Sequence, residues 1–194
     1  MKLVLASSNA GKLKEIRNLL HGAANNIVNQ KELGIDDAIE NGRSFAENAL
    51  IKARHASKHS GIAALADDSG LEVDYLEGKP GIYSARFAGP EATDKENIQK
   101  LLNELQGVPE EQRTARFHCV IALVLSPEQK RPALFHGIWE GRILDHCSGS
   151  NGFGYDPVFY VPKLGCTSAS LSPEIKNMHS HRALALKKLS THLL

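Results

Sequence analysis

The chain reads as a mixed α/β protein. Short apolar strands alternate with amphipathic helices through residues 2–105, and two long strand patterns then follow across a polar turn at 126–132. No internal repeat, low-complexity tract or linker interrupts residues 1–194, so a single domain is expected.

The elements follow in order. Lys2–Ala6 is a short apolar run and predicts a buried first strand. Ser7-Ser8-Asn9-Ala10-Gly11-Lys12 comes next, and Leu13, Ile16, Leu19 and Leu20 then recur at helical spacing, predicting a helix to about His21-Gly22. A strand, a polar turn and a helix N-terminus form a natural anion site. It is not a Walker A loop, because Ala6 and Leu13 stand where glycine and Ser/Thr are required. The same residues also suit a plain helix N-cap at Ser8 or Asn9. Asn26–Gln30 predicts a second strand, and Lys31–Asn41 an acidic loop with Asp36, Asp37 and Glu40. Ser44 with Glu47 makes a capping-box pattern for a helix ended by Gly61. Its Phe45, Ala49, Ala53 and Ala56 form a narrow stripe with Lys52 at the edge, and Lys52, Arg54 and Lys58 together read as a solvated face.

Ile62–Ala66 predicts a strand that ends in Asp67-Asp68-Ser69-Gly70, with Leu71–Val73 as a short strand after a turn. Two acids at a strand end need something positive, most simply a metal ion. Side chains alternate along a strand, so Asp68 is assigned to the site and Asp67 behind it. Asp-Asp-Ser-Gly is equally good turn chemistry. Glu77–Gly81 is a loop, and Ile82–Phe87 places an arginine between two aromatics. Thr93 or Asp94 caps a helix running to about Leu105, with Ile98, Leu101, Leu102 and Leu105 inward. Thr114–Leu125 and Ala133–Leu144 are the long strands; a histidine alone on a strand, such as His118 or His136, reads as a structural group. Ser148–Pro157 holds three glycines and two aromatics and suits either a flat ligand or a structural turn, with Val158–Tyr160 as a strand beyond it. Ser172–Lys176 is a polar segment. Ser180 caps a last helix with Ala183, Leu184, Leu186 and Leu189 inward. His181 and Arg182 in its first turn oppose the helix dipole, which points to a ligand.

Composition excludes several classes. Net charge is +1, with basic residues spread along the chain, so nucleic-acid coating is not indicated. No apolar run approaches the roughly 20 residues of a membrane span, and Met1–Ala6 is too short for a secretory segment. Cys119, Cys147 and Cys166 form no C-x-x-C pair, against a disulfide framework or structural zinc. A reduced, cytoplasmic protein without nucleic-acid or membrane partners is expected.

An anion loop with lysine, paired carboxylates and an aromatic glycine loop together read as a nucleoside triphosphate site. A polyphosphate needs cations and N–H groups, Mg²⁺ needs oxygen ligands, and a planar base needs an aromatic face. The blocks Ala6–Lys12, Ser44–Ala49, Ala66–Leu71, Pro80–Arg86, Gly152–Pro157 and Ser180–Arg182, in this order, resemble the inosine triphosphate pyrophosphatase family over nearly the whole chain. Ser7-Ser8 stands where Thr-Gly is frequent in that family, and Asn41 where an acid or threonine is frequent.

The resemblance implies an elongated mixed β-sheet flanked by helices, with two lobes and the active-site cleft between them. It also implies a homodimer, a Mg²⁺ requirement, and conversion of ITP, dITP or XTP to the monophosphate and pyrophosphate. Carried over residue by residue, Ser7, Ser8, Asn9, Ala10, Gly11 and Lys12 hold the phosphates, and Lys52 reaches them. Glu40 and Asp68 hold Mg²⁺, and Asp68 is also the general base, supported by Asp67. Ser69 contacts substrate. Phe153 stacks on the base, with Gly154 in the same loop and Tyr155 and Asp156 shaping the pocket. Lys176, His181 and Arg182 read the base. Two competing readings remain: a pyrophosphatase for other nucleotides, and a nucleotide-binding module without turnover.

Overall fold

Leu3, Val4 and Leu5 are all buried and form β1 (Leu3–Leu5). In the computed structural model, which describes residues 2–20 and 27–193, β1 pairs in parallel with both β2 (Ile27–Asn29) and β3 (Ala63–Val73). Covered on both faces, such strands read as continuous apolar runs rather than alternating ones. The sheet continues through β4 (Thr114–Val124), β5 (Ala133–Ile143), β6 (Phe159–Val161) and β7 (Cys166–Thr167) in the order β2-β1-β3-β4-β5-β6-β7. β5, β6 and β7 pair antiparallel, so the sheet is mixed, as expected from sequence. The predicted helix end at His21-Gly22 and the start of the second strand at Asn26 lie outside the described residues.

Five α-helices accompany the sheet among the described residues: α1 (Ala10–Leu19), α2 (Phe45–Ser60), α3 (Asp94–Glu104), α4 (Pro173–His179) and α5 (His181–Leu193). Asn9 caps α1 by accepting from Lys12 N. Ser44 caps α2 by accepting from Glu47 N, but Glu47 does not close the box; its carboxylate accepts from Arg43 N at 2.6 Å instead. Gly61 ends α2 at φ 71°, a left-handed conformation that glycine adopts without steric cost. Ala49, Ala53 and Ala56 are fully buried, and their small side chains let α2 pack on β1.

Two compact units result. The first comprises the chain up to Asp68, Cys119–Gly137, and the chain from His181; the second comprises Ser69–His118 and Ile138–Ser180. Each has its own hydrophobic core. Leu5, Ile16, Leu65, Ile121 and Leu186 lie in one, and Leu71, Leu101, Phe117, Trp139 and Phe159 in the other.

Several sequence expectations need correction. No turn interrupts Asp67–Gly70: β3 runs unbroken for 11 residues, because both acids find cationic partners within the fold and need not leave the strand for water. The segment read only as polar contains α4, with Pro173 at its first position and Ser172 capping Ile175 N. In α5, Leu184 is exposed and Ala185 is buried in its place. The acidic loop begins with a short 3₁₀ turn at Gln30–Leu33.

Candidate active site

The first unit gathers charge around the two aspartates. β1 leads through buried Ser7 into α1, and Asn29 Nδ2 donates to the Ser7 carbonyl at 3.3 Å, fixing the loop. Ser8, Asn9 and Ala10 are exposed at the start of a helix that carries no acid in its first turn, so the N-terminal dipole is uncompensated. One turn in, Lys12 Nζ lies 3.0 Å from Asp67 Oδ2. The same carboxylate lies 3.4 Å from Arg182 Nη2, and Arg182 Nη1 also donates to Glu15 Oε2 on α1. Burial alone would lower the pKa of Arg182, but Asp67 and Glu15 hold it above the ordinary value, so the guanidinium stays charged.

Asp68, the next residue, serves the opposite side of the strand. Its Oδ1 accepts from Lys52 Nζ at 2.9 Å, and that ammonium also donates to Glu40 Oε2 at 2.9 Å. Asp68 Oδ2 is buried and has no hydrogen-bond partner among the described residues. Burial pushes the Asp68 carboxyl above its ordinary pKa against the opposing pull of Lys52 and Lys12. Burial likewise disfavours the Lys52 ammonium, but Asp68, Asp67 and Glu40 together outweigh it and raise its pKa. Gly42 helps aim Glu40: its N–H donates to Asn48 Oδ1 at 2.9 Å, so close that an added Cβ would stand 2.6 Å from that oxygen.

These groups fit a hard divalent cation. Glu40 and Asp68 are both oxygen donors, already converge on one positive charge, and leave a buried lone oxygen. The described residues contain no cluster of three or more His, Cys, Asp or Glu placed to hold a metal. Mg²⁺ does not require one, since it is held by one or two carboxylates and takes its other ligands from water and phosphate.

The second unit organises the glycine loop around Asp156. Its Oδ2 accepts from Phe153 N at 2.9 Å and from Lys176 Nζ at 2.6 Å, and its Oδ1 accepts from Ser168 Oγ at 2.7 Å. Gly152, at φ 77°, passes so close that a Cβ would fall 2.0 Å from Asp156 Oδ2. Lys176 Nζ sits 5.0 Å from the ring centroid of half-buried Phe153. Gly154 N donates to Asp94 Oδ2 at 2.6 Å, and Tyr155 Oη donates to the Ser84 carbonyl at 2.8 Å. Burial drives the Tyr155 phenol above its ordinary pKa, so it remains a donor. Ser69, the first residue of this unit, is half-buried in β3.

The structure therefore brings Ser7–Lys12, Glu40, Lys52, Asp68, His181 and Arg182 into the first unit, and Ser69, Phe153–Asp156 and Lys176 into the second. Sequence reasoning missed Glu15, Ser168, Ser84 and Asp94. Glu15 was within reach, since it lies three residues after Lys12 on the same helix face. Ser168, 12 residues from its partner Asp156, carried no local signal.

Comparison with known proteins gives matches over nearly the whole chain. The Ham1 family model matches residues 3–192. A "dITP/XTP pyrophosphatase" of Vibrio vulnificus is 55% identical, over 97% of this chain and 94% of its own. The structure of a HAM1 protein from Coxiella burnetii superposes with a TM-score of 0.93 at 49% identity, covering 100% of this chain and 98% of that one. A Mycobacterium abscessus structure, named as a nucleoside-triphosphatase / dITP/XTP pyrophosphatase, gives 0.78 at 42%, covering 97% and 98%. On sequence and architecture alike, the chain belongs to the Ham1 family.

Proposed function

We propose that this chain is a Mg²⁺-dependent pyrophosphatase that cleaves ITP, dITP and XTP to the nucleoside monophosphate and pyrophosphate. It would thereby clear deaminated purines from the cytoplasmic nucleotide pool, working as a homodimer. The observation that carries the reading is Lys52 joined to both Glu40 and Asp68, with one Asp68 oxygen left over. The names of the relatives support the substrate class.

Phosphoanhydride hydrolysis needs neutralised phosphate charge and an aligned water. The first turn of α1 and Lys12 bind phosphate oxygens through N–H groups and positive charge. Lys52, held between Glu40 and Asp68 and cationic, reaches the phosphates from its carboxylate pair. Asp68 accepts the proton of the attacking water at Oδ2, the oxygen that Lys52 leaves open. Glu40 and Asp68 are the residues that would hold Mg²⁺, which when bound supplies charge neutralisation to the phosphates. Ser69 contacts the substrate.

Base selection rests on a stack and on donors. Phe153 offers its ring, fixed by Asp156 and faced by Lys176. ITP and XTP carry a carbonyl at the 6-position, which accepts from Arg182 or His181. ATP offers an amino donor there, which sets donor against donor, a mismatch that disfavours it strongly.

The test is release of pyrophosphate and orthophosphate from ITP, XTP, ATP, GTP and dTTP, with and without Mg²⁺. Pyrophosphate from ITP and XTP alone, only with metal, and lost in Asp68→Asn, is the expected result. Orthophosphate would mean cleavage at the terminal phosphate. Nucleotide binding without either product would make the chain a binding module.

A further inference from the structure

The orientation of Phe153 is set by two peptide planes, one on each side of its Cα. A peptide unit is planar, so holding its N–H holds the whole plane. The N–H of Phe153 belongs to the first plane and donates to Asp156 Oδ2 at 2.9 Å. The N–H of Gly154 belongs to the second and donates to Asp94 Oδ2 at 2.6 Å. With both planes held, the φ and ψ of Phe153 are fixed, and with them the direction of the Cα–Cβ bond that carries its ring. The tethers matter because both neighbours are left-handed glycines, Gly152 at φ 77° and Gly154 at φ 58°, the residue type with the widest backbone freedom.

Asp156 lies within the loop, but Asp94 reaches it from 60 residues away. It occupies the first position of α3, where Thr93 and Glu96 close a full capping box on their own. The Asp94 side chain is thus not consumed in capping its helix and is spent on Gly154. Tyr155, bound to the Ser84 carbonyl, anchors the loop one residue further on.

We infer that Asp94 is a positioning residue for base recognition, locking the Phe153–Gly154 peptide so that the Phe153 ring is preorganised to stack on a purine. The inference rests on the assignment of Phe153 as the stacking residue. Preorganisation acts on binding rather than on the chemical step, because it removes an ordering cost that substrate would otherwise meet.

The experiment compares Asp94→Ala and Asp94→Asn with the wild-type chain, using IMP as the binding probe, XTP as substrate, and the Gly154 amide resonance. Asn keeps an oxygen acceptor and Ala does not. In Asp94→Ala, the Kd for IMP and the KM for XTP are expected to rise about fivefold, with kcat changed less than about twofold, in line with one solvent-accessible charged hydrogen bond. The Gly154 amide proton is expected to move upfield. Asp94→Asn is expected to restore most of the affinity. A lowered Tm in Asp94→Ala with unchanged IMP affinity and an unmoved Gly154 resonance would reduce Asp94 to a helix-terminal charge and overturn the inference. If the wild-type chain neither bound IMP nor cleaved XTP, the nucleotide reading would fail on its own, and base positioning by Asp94 would fall with it. A moved Gly154 resonance in Asp94→Ala would then show the anchor without the role.

Discussion

Asp68 Oδ1 is committed to Lys52 at 2.9 Å, and burial keeps the carboxyl above its ordinary pKa. The raised value has a definite sign for stability. The fold holds this proton more tightly than the unfolded chain does, so the contribution is full below the unfolded pKa and is lost as pH rises through the folded one. Raising the pH through the folded pKa therefore moves Asp68 into a form the fold disfavours. Lys52 is the largest influence opposing the shift. In the metal-free protein, Lys52→Met is expected to move the Asp68 titration further upward, as read by carboxyl carbon NMR. A downward move would mean that Lys52 is not the counter-charge. Arg182 presents the complementary case: at 1% exposure, burial opposes its charge, and Asp67 and Glu15 more than offset that cost.

At the scale of elements, β3 shows where local reading stops. Asp-Asp-Ser-Gly has the composition of a turn, and only partners distant in sequence keep it extended: Lys12 and Arg182 for Asp67, Lys52 for Asp68. Helices with complete local signals were legible, as the Thr93 cap of α3 and the Gly61 stop of α2 show. α4 was not, because seven residues leave too short a window for periodicity. Gly137 of β5 was equally silent. Gly137 backs onto the start of α5, where a Cβ would lie 1.9 Å from the His181 carbonyl oxygen. The conflict is with backbone, which cannot swing aside. Gly137→Ala is expected to destabilise the chain by about 1–3 kcal/mol through overpacking, measurable by urea unfolding. Wild-type stability in that variant would show that the helix start yields freely.

Over the whole molecule, the fold class and the order of the site blocks were readable because strand and helix patterns are local. Which residues make up each core was not, since that depends on which distant segments meet. The first core takes Leu3, Leu5 and Leu65 from one end of the chain and Ala185, Leu186 and Leu189 from the other. A chain ending at Ser180 is therefore expected to lose amide protection throughout β1 and α1, while protection at Leu71, Leu101 and Phe159 falls less. Hydrogen exchange followed by mass spectrometry reads this directly, and uniform loss across both cores would argue that they are not separate.

The crossings between the two units fall after Asp68, His118, Gly137 and Ser180, and the first three lie inside strands β3, β4 and β5. Recombination works cleanly at loops, where a cassette can be cut out and ligated elsewhere. Here, any exchange of the second unit would sever three strands mid-span. Libraries meant to redirect the proposed base recognition therefore belong on single side chains of Phe153–Asp156 and on Asp94 rather than on grafted modules.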